Sequence, residues 1–187
     1  MLRIFLDIST TGLNAYKHRL GCISVNSEKE TESFCDEDEK KMLEDFIFYL
    51  SEKVNRNKRV NIYSFRTEDF IGNFLKTRML KHKLLSKYLD LTSHIIIYDI
   101  QRLFFDSHFF GVTRKPKLGE IIKFLDIKAP MIIKGEDKKY MFENEMYDNL
   151  IKYTEQSVNT IKLVFLNLKY KLNIKNFEVY ELSKLEK

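Results

Sequence analysis

Three short apolar runs, one amphipathic helical pattern and a fourth apolar run follow one another within the first 65 residues, and this order restricts the fold more than any other feature of the chain. Residues 3–8, 20–25 and 31–35 have the length and composition of strands, and Gly12, Leu13 and Asn14 make a turn after the first. They read as a meander. Asp36 and Asp38 stand where an N-cap and a first-turn acid belong. Met42, Leu43, Phe46, Ile47, Leu50 and Val54 then recur at helical spacing. Beyond the basic stretch 55–59, residues 60–64 (Val-Asn-Ile-Tyr-Ser) read as a fourth strand. The succession β, β, β, α, β predicts an α/β domain.

The rest of the chain is mostly helical. Thr67 is placed to cap a helix running to Leu80, residues 84–91 continue with a second, and 94–98 form a fifth strand candidate leading into 100–105. A loop at 111–117 precedes an apolar element at 118–125 that Pro130 ends. The periodic pattern at 143–172 predicts one long helix, and residues 177–180 look strand-like. No linker or change of composition divides the 187 residues, so a single domain is expected. Six Gly and two Pro exclude a linker, a collagenous chain and low-complexity sequence. Cys22 and Cys35 have neither CxxC nor Cys/His ligand spacing, which predicts two buried, reduced thiols rather than a disulfide framework or a zinc site. The N-terminal run is too short and too charged for a signal peptide or a membrane span, so a cytoplasmic protein is expected. A formal charge of +5 permits an anionic partner.

The first strand and its turn read Phe5-Leu6-Asp7-Ile8-Ser9-Thr10-Thr11-Gly12-Leu13. This resembles the opening motif of the DnaQ-like (DEDD) 3′-5′ exonucleases, D-I-E-T-T-G-L, with six of the seven positions in agreement. Further segments resemble the family in the family's order. Residues 63–69 stand in the place of its Y-N-G-x-x-F-D second motif, as in the predicted RNase H-like exonuclease subgroup. Residues 93–99 and 118–127 resemble the next strand and an L-G-I segment, and 151–158 resemble the third motif, Y-N-x-x-D-V. The resemblance spans residues 3–168 and leaves 173–187 as a C-terminal extension. It implies an RNase H-like fold: a mixed sheet of about five strands, the first three antiparallel, with helices on both faces.

It also implies phosphodiester hydrolysis with two divalent cations, which need several carboxylates to hold them. Alternate strand residues share a face, so a D-x-E on the first strand aims both acids into one cleft. A Tyr one helical turn before the last Asp is placed to orient the attacking water. In this chain Asp7 matches the first acid, Asp69 the second-motif Asp, and Tyr153 the tyrosine. Ser9 replaces the Glu and Ser157 the last Asp. In the family those two acids ligate one metal, so both losses fall on one subsite. A hydroxyl is a neutral and poor ligand for Mg²⁺ or Mn²⁺, and at most weak or single-metal binding at Asp7 and Asp69 is expected. The helical neighbours of Ser157 at positions 153, 154, 160 and 161 carry no acid. The strand neighbour of Ser9 on the same face is Thr11, and Glu155 points to another face. Rescue is left to Glu68 or a distant acid. Asp69 also reads as an ordinary acid at a helix N-terminus.

Lys76, Arg78, Lys81 and Lys83 form a basic cluster near the second motif. It reads either as a nucleic-acid-binding surface or as a solvated helix face. Phe104, Phe105, Phe109, Phe110 and Tyr16 are either stacking residues or core. The four histidines have no ligand spacing. The expectation is a degenerate exonuclease-like domain without efficient hydrolysis that binds single-stranded DNA or RNA, or a protein partner that processes nucleic acid. An active exonuclease with a remodelled site and a structural subunit stand as alternatives.

Overall fold

The computed structural model describes residues 2–27, 30–57, 59–106, 114–129 and 135–171. Strands β1 (Leu2–Thr10), β2 (Leu20–Ser27) and β3 (Thr31–Phe34) form the expected meander. Helix α1 (Glu39–Arg56) carries the chain to β4 (Val60–Ser64). A π-helical turn (Thr67–Ile71), α2 (Gly72–Lys81) and α3 (Leu85–Thr92) lead to β5 (Ile95–Asp99), followed by α4 (Ile100–Asp106), α5 (Leu118–Phe124), α6 (Gly135–Glu143) and α7 (Tyr147–Lys171). The sheet order is β3-β2-β1-β4-β5. β1 pairs antiparallel with β2 and parallel with β4, and β5 extends the parallel part. Parallel neighbours need a crossover, and α1 supplies the first one.

Each face of the sheet is covered by its own layer. Ile4, Leu6 and Ile8 of β1 pack with Met42, Leu43 and Phe46 of α1 and with Leu75 and Met79 of α2. Asp38 caps α1 by accepting hydrogen bonds from Lys40 N and Lys41 N. On the other face, register places Phe5, Tyr63 and Tyr98 on adjacent strands. Their rings form a ladder, with centroids 5.5 Å apart for Phe5 and Tyr63 and 4.8 Å for Tyr63 and Tyr98. Phe165 of α7 lies 4.4 Å from Tyr63 by the same measure and seals the layer.

α7 covers β2 with a polar side. Asn26 Nδ2 donates to Asn159 Oδ1 at 2.7 Å, Ser33 Oγ to Glu155 Oε1 at 2.9 Å, and Lys162 Nζ to Asn26 Oδ1 at 2.8 Å. These bonds give Asn26 of the fully buried β2, and Ser33 of β3, polar partners on α7 and fix where that helix lies along the sheet.

Four expectations change. The pattern at 143–172 is not one helix: α7 begins at Tyr147, behind a turn with Glu145 at φ 56°, and α6 precedes it. Thr67 does not cap a helix, because the chain enters the π-turn through Arg66 at φ 63°. α5 ends at Phe124 with Asp126 at φ 52°, so the turn and not Pro130 stops it. Cys22 is buried as expected, whereas Cys35 is half-buried, and both are free thiols. Phe109, Phe110, His108, Pro130 and the 177–180 segment lie outside the described residues. No helix among the described residues is long and apolar enough to cross a membrane.

Candidate functional site

Asp7 and Ser9 share the β1 face that carries Phe5, so both point toward the α7 layer. Ser9 is 1% exposed, and its Oγ lies 2.6 Å from Thr154 Oγ1 on α7. Thr154 Oγ1 donates its one proton to the Leu150 carbonyl at 2.7 Å, so the Ser9 hydroxyl is the donor to Thr154. A closed hydroxyl pair thus stands where the resemblance implies a carboxylate. Ser157 and Tyr153 are half-buried on the same helix. Glu155 faces β3 through Ser33, away from Ser9.

Asp7 faces a cation of the chain itself. Lys138 Nζ of α6 lies 3.9 Å from Asp7 Oδ2, and each side chain is only 15% exposed. The two charges face each other at the outer limit of ion-pair distance, in a partly buried setting. α6 and α7 approach β1 and β2 closely at Gly21, the extra residue of a bulge where Ser9 pairs with Cys22 and Thr10 with Leu20. A Cβ on Gly21 would stand 2.9 Å from Phe142 Cδ2.

The second-motif segment is built on the π-turn. Ile71 N bonds to Arg66 O and Gly72 N to Thr67 O, the i→i+5 spacing of a π-helical turn. Asp99, 5% exposed at the end of β5, holds this turn: its Oδ1 accepts from Arg66 N at 3.2 Å and from Gln101 N and Arg102 N at 2.9 and 3.2 Å. One carboxylate therefore caps α4 and fixes the left-handed residue that opens the π-turn. The backbone of Asp69 belongs to this turn. The side chains of Asp69 and Glu68 lie outside the described residues.

The described side chains of this donor set do not by themselves fit a centre of two divalent cations. Such a centre needs several oxygen ligands, mostly anionic. Among the described residues no three His, Cys, Asp or Glu side chains are grouped to hold a metal. The Ser9 hydroxyl is committed to Thr154, and the Asp7 carboxylate faces an ammonium.

The basic cluster divides. Lys76, Lys81 and Lys83 are exposed. Arg78 departs from the expectation of a surface cation. It is 3% exposed, its Nε donates to Glu39 Oε1 at 2.8 Å, its Nη2 to Glu39 Oε2, and its Nη1 to the Ala15 carbonyl at 3.0 Å. Glu39 also accepts from Leu20 N at 2.7 Å and lies 2.9 Å from His82 Nε2. Burial raises the Glu39 pKa, but its bonds to Arg78, Leu20 and His82 outweigh that and hold it below the ordinary carboxylate range. Arg78 is thus an internal clamp joining α1, α2 and the β1–β2 connection. Phe74, Leu75 and Met79 place α2 in the layer opposite the one that Asp7 faces. Phe104 is core at 1% exposure, while Tyr16 is 82% exposed.

Sequence reasoning missed Lys138, Thr154 and Asp99. Asp99 had a readable signal, an acid between a strand and an apolar helical start. Thr154 was noted only as a neutral neighbour, and Lys138 lies in a stretch without a motif.

No family model matches the sequence, and no curated protein does. A solved family B DNA polymerase from the hyperthermophilic archaeon Pyrobaculum calidifontis is similar in structure, with a TM-score of 0.67 and 14% identity over 92% of this chain. This chain spans 24% of that polymerase chain. The likeness establishes the fold, an RNase H-like mixed five-stranded sheet with helices on both faces.

Proposed function

We propose that this chain is a degenerate DnaQ-like exonuclease domain that binds nucleic acid and does not carry out two-metal hydrolysis. The observation that carries this reading is the pair of substitutions in kind at one place: a buried Ser9–Thr154 hydroxyl pair and a Lys138 ammonium beside Asp7. A cleft so arranged has exchanged anionic ligands for neutral ones and already contains a positive charge. Asp7, Asp69, Tyr153, Ser9 and Ser157 then mark a vestigial site. Lys76, Lys81 and Lys83 supply exposed charge for a phosphate backbone, in keeping with the +5 formal charge and with a fold shared with part of a DNA polymerase. The ligand is single-stranded DNA or RNA, and no metal is required. Two free thiols favour a cytoplasmic setting.

The test is fluorescence anisotropy with labelled single-stranded DNA and RNA, in EDTA and in Mg²⁺ or Mn²⁺, with gel analysis of the same samples. Binding is expected to be equal with and without metal, to fall steeply with salt, and to leave the oligonucleotide intact. Joint replacement of Lys76, Lys81 and Lys83 by Gln lowers affinity and flattens the salt slope by up to about two, roughly 0.7 per phosphate contact on a single strand. Metal-dependent digestion that disappears in Asp7→Ala establishes the remodelled exonuclease instead. Absence of binding at low salt leaves the structural subunit.

A further inference from the structure

The antiparallel register of β2 and β3 pairs Ile23 with Phe34, and one step further along the same register sets Cys22 opposite Cys35. Directly opposed residues of antiparallel strands have Cα atoms about 4.5–5.5 Å apart, inside the range of about 4.4–6.8 Å that a disulfide spans. Each thiol is the largest influence on the other's pKa, as for side chains set side by side. Cys35 Sγ also lies 3.1 Å from the Gly21 carbonyl, and Cys22 Sγ lies 3.7 Å from Ser24 Oγ. The two differ in access. Cys22 is fully buried under α7, whereas Cys35 is half-buried at the end of β3.

We propose that Cys22 and Cys35 form a reactive dithiol that a low-molecular-weight disulfide, such as oxidised glutathione, converts into a cross-strand disulfide. The deprotonated sulfur of Cys35, the accessible one, attacks one sulfur of the oxidant. A mixed disulfide forms, and one glutathione leaves as thiolate. The Cys22 sulfur then attacks the Cys35 sulfur, the protein disulfide forms, and the second glutathione leaves. The two protons given up by the protein end on the two glutathione thiols, so the protein is oxidised by two electrons and the oxidant is reduced by two. In the reduced dithiol, hydrogen bonding to Cys22 and burial raise the Cys35 pKa, so the first attack draws on a small thiolate fraction. Once Cys35 is in the mixed disulfide it has no proton to donate, and the Ser24 and Thr154 hydroxyls and the Lys138 charge are what lower the Cys22 pKa against burial.

The site has a neighbour of consequence. Cys22 pairs with Ser9 across β1 and β2, on the face where Ser9 meets Thr154. The cross-strand disulfide would therefore lie directly beside the strand that carries Ser9. The proposal stands independently of nucleic-acid binding.

The experiment is incubation of the folded protein in glutathione buffers of increasing oxidised fraction, followed by acid quenching, alkylation and intact-mass analysis. The expected product has lost two hydrogen atoms, carries no glutathione, and yields a linked peptide containing residues 22 and 35. Cys22→Ser is expected to stop at a single glutathione adduct on Cys35, and Cys35→Ser to remain unmodified. In denaturant, the oxidised fraction at which half the wild-type protein is linked should rise by about tenfold or more, because the register no longer holds the thiols together. Wild-type protein that keeps both thiols, or that accumulates a stable glutathione adduct, overturns the proposal. So does a half-point that denaturant leaves unchanged.

Discussion

Replacing Arg78 by Met removes a buried guanidinium that three acceptor contacts hold, two on Glu39 and one on the Ala15 carbonyl. Glu39, at 4% exposure, keeps only Leu20 N and His82 as partners, and its charge stays where water cannot reach it. Breaking one side of a buried pair costs about 3–5 kcal/mol, because the remaining charge is uncompensated. Against a typical total of about 5–15 kcal/mol this is a large share. With a urea m-value of about 2–3 kcal/mol/M, the upper part of the usual range for a chain of this size, the unfolding midpoint should fall by roughly 1–2.5 M, read by circular dichroism at pH 7. A double variant, Arg78→Met with Glu39→Gln, should recover part of the loss, since no charge is then left buried. Oligonucleotide affinity of the folded single variant should match wild type within about twofold, an affinity difference below about 0.5 kcal/mol. The reasoning is refuted by a midpoint shift under about 0.3 M. Lost binding with unchanged stability would return Arg78 to the nucleic-acid surface.

The same carboxylate predicts a pH dependence. Because the folded pKa of Glu39 is depressed, the unfolded chain takes up the proton first as pH falls, so its contribution is complete above the unfolded value of about 4.3 and is lost as pH drops through the folded value. Urea unfolding from pH 7 to pH 3 should therefore show the gap between wild type and Glu39→Gln narrowing only in the acid range; a constant gap would contradict the assignment. Asp99→Ala removes the acceptor of Arg66, Gln101 and Arg102 N–H groups and should lower stability by about 1–3 kcal/mol, with hydrogen exchange fastest at Arg66 and in the π-turn, whereas Asp99→Asn should retain most of the stability. Uniform exchange across the sheet would show that Asp99 does not control the turn. On the proposed reading, introducing the acids of the resembled motif as Ser9→Glu and Ser157→Asp, together with Lys138→Met, should produce Mn²⁺ binding by calorimetry where wild type shows none, provided circular dichroism confirms folding. Equal binding by wild type would refute the account of Lys138.

Elements whose signal is local were legible in the sequence, and the site was legible only in part. The β1 motif, the α1 stripe and the fourth and fifth strands follow from periodicity that tertiary packing reinforces. The single long helix at 143–172 was misread because Asn144, Glu145 and Met146 contain neither Gly nor Pro, and a left-handed Glu145 breaks the run without a sequence mark. Arg78 was misplaced for another reason. Residue type suggested a surface cation, yet it follows Phe74 by four positions and Leu75 by three, on the buried stripe of α2. Periodicity alone would have put it inside, with an acid to meet it.

The surroundings of Asp7 show why a long-range partner is the part that sequence withholds. Serine at positions 9 and 157, in place of the acids of the resembled motif, is visible in the sequence, but the cation that faces Asp7 comes from Lys138, 131 positions away and in a different element. A retained Asp7 without a metal would be a carboxylate at 15% exposure with no counter-charge, an expensive arrangement. Lys138 resolves that expense, and the bare Gly21 bulge lets the helix pair carrying it close on the sheet. Conversely, a Glu at position 9 would have to displace the Thr154 hydroxyl from a pair whose members are at most 1% exposed, and would set a second anion at a locus that one ammonium already neutralises. On the proposed reading, the serine at position 9, the threonine that meets it and the lysine beside Asp7 are one coupled arrangement, in which hydroxyls and an ammonium of the chain stand where the resembled motif has acids and external cations.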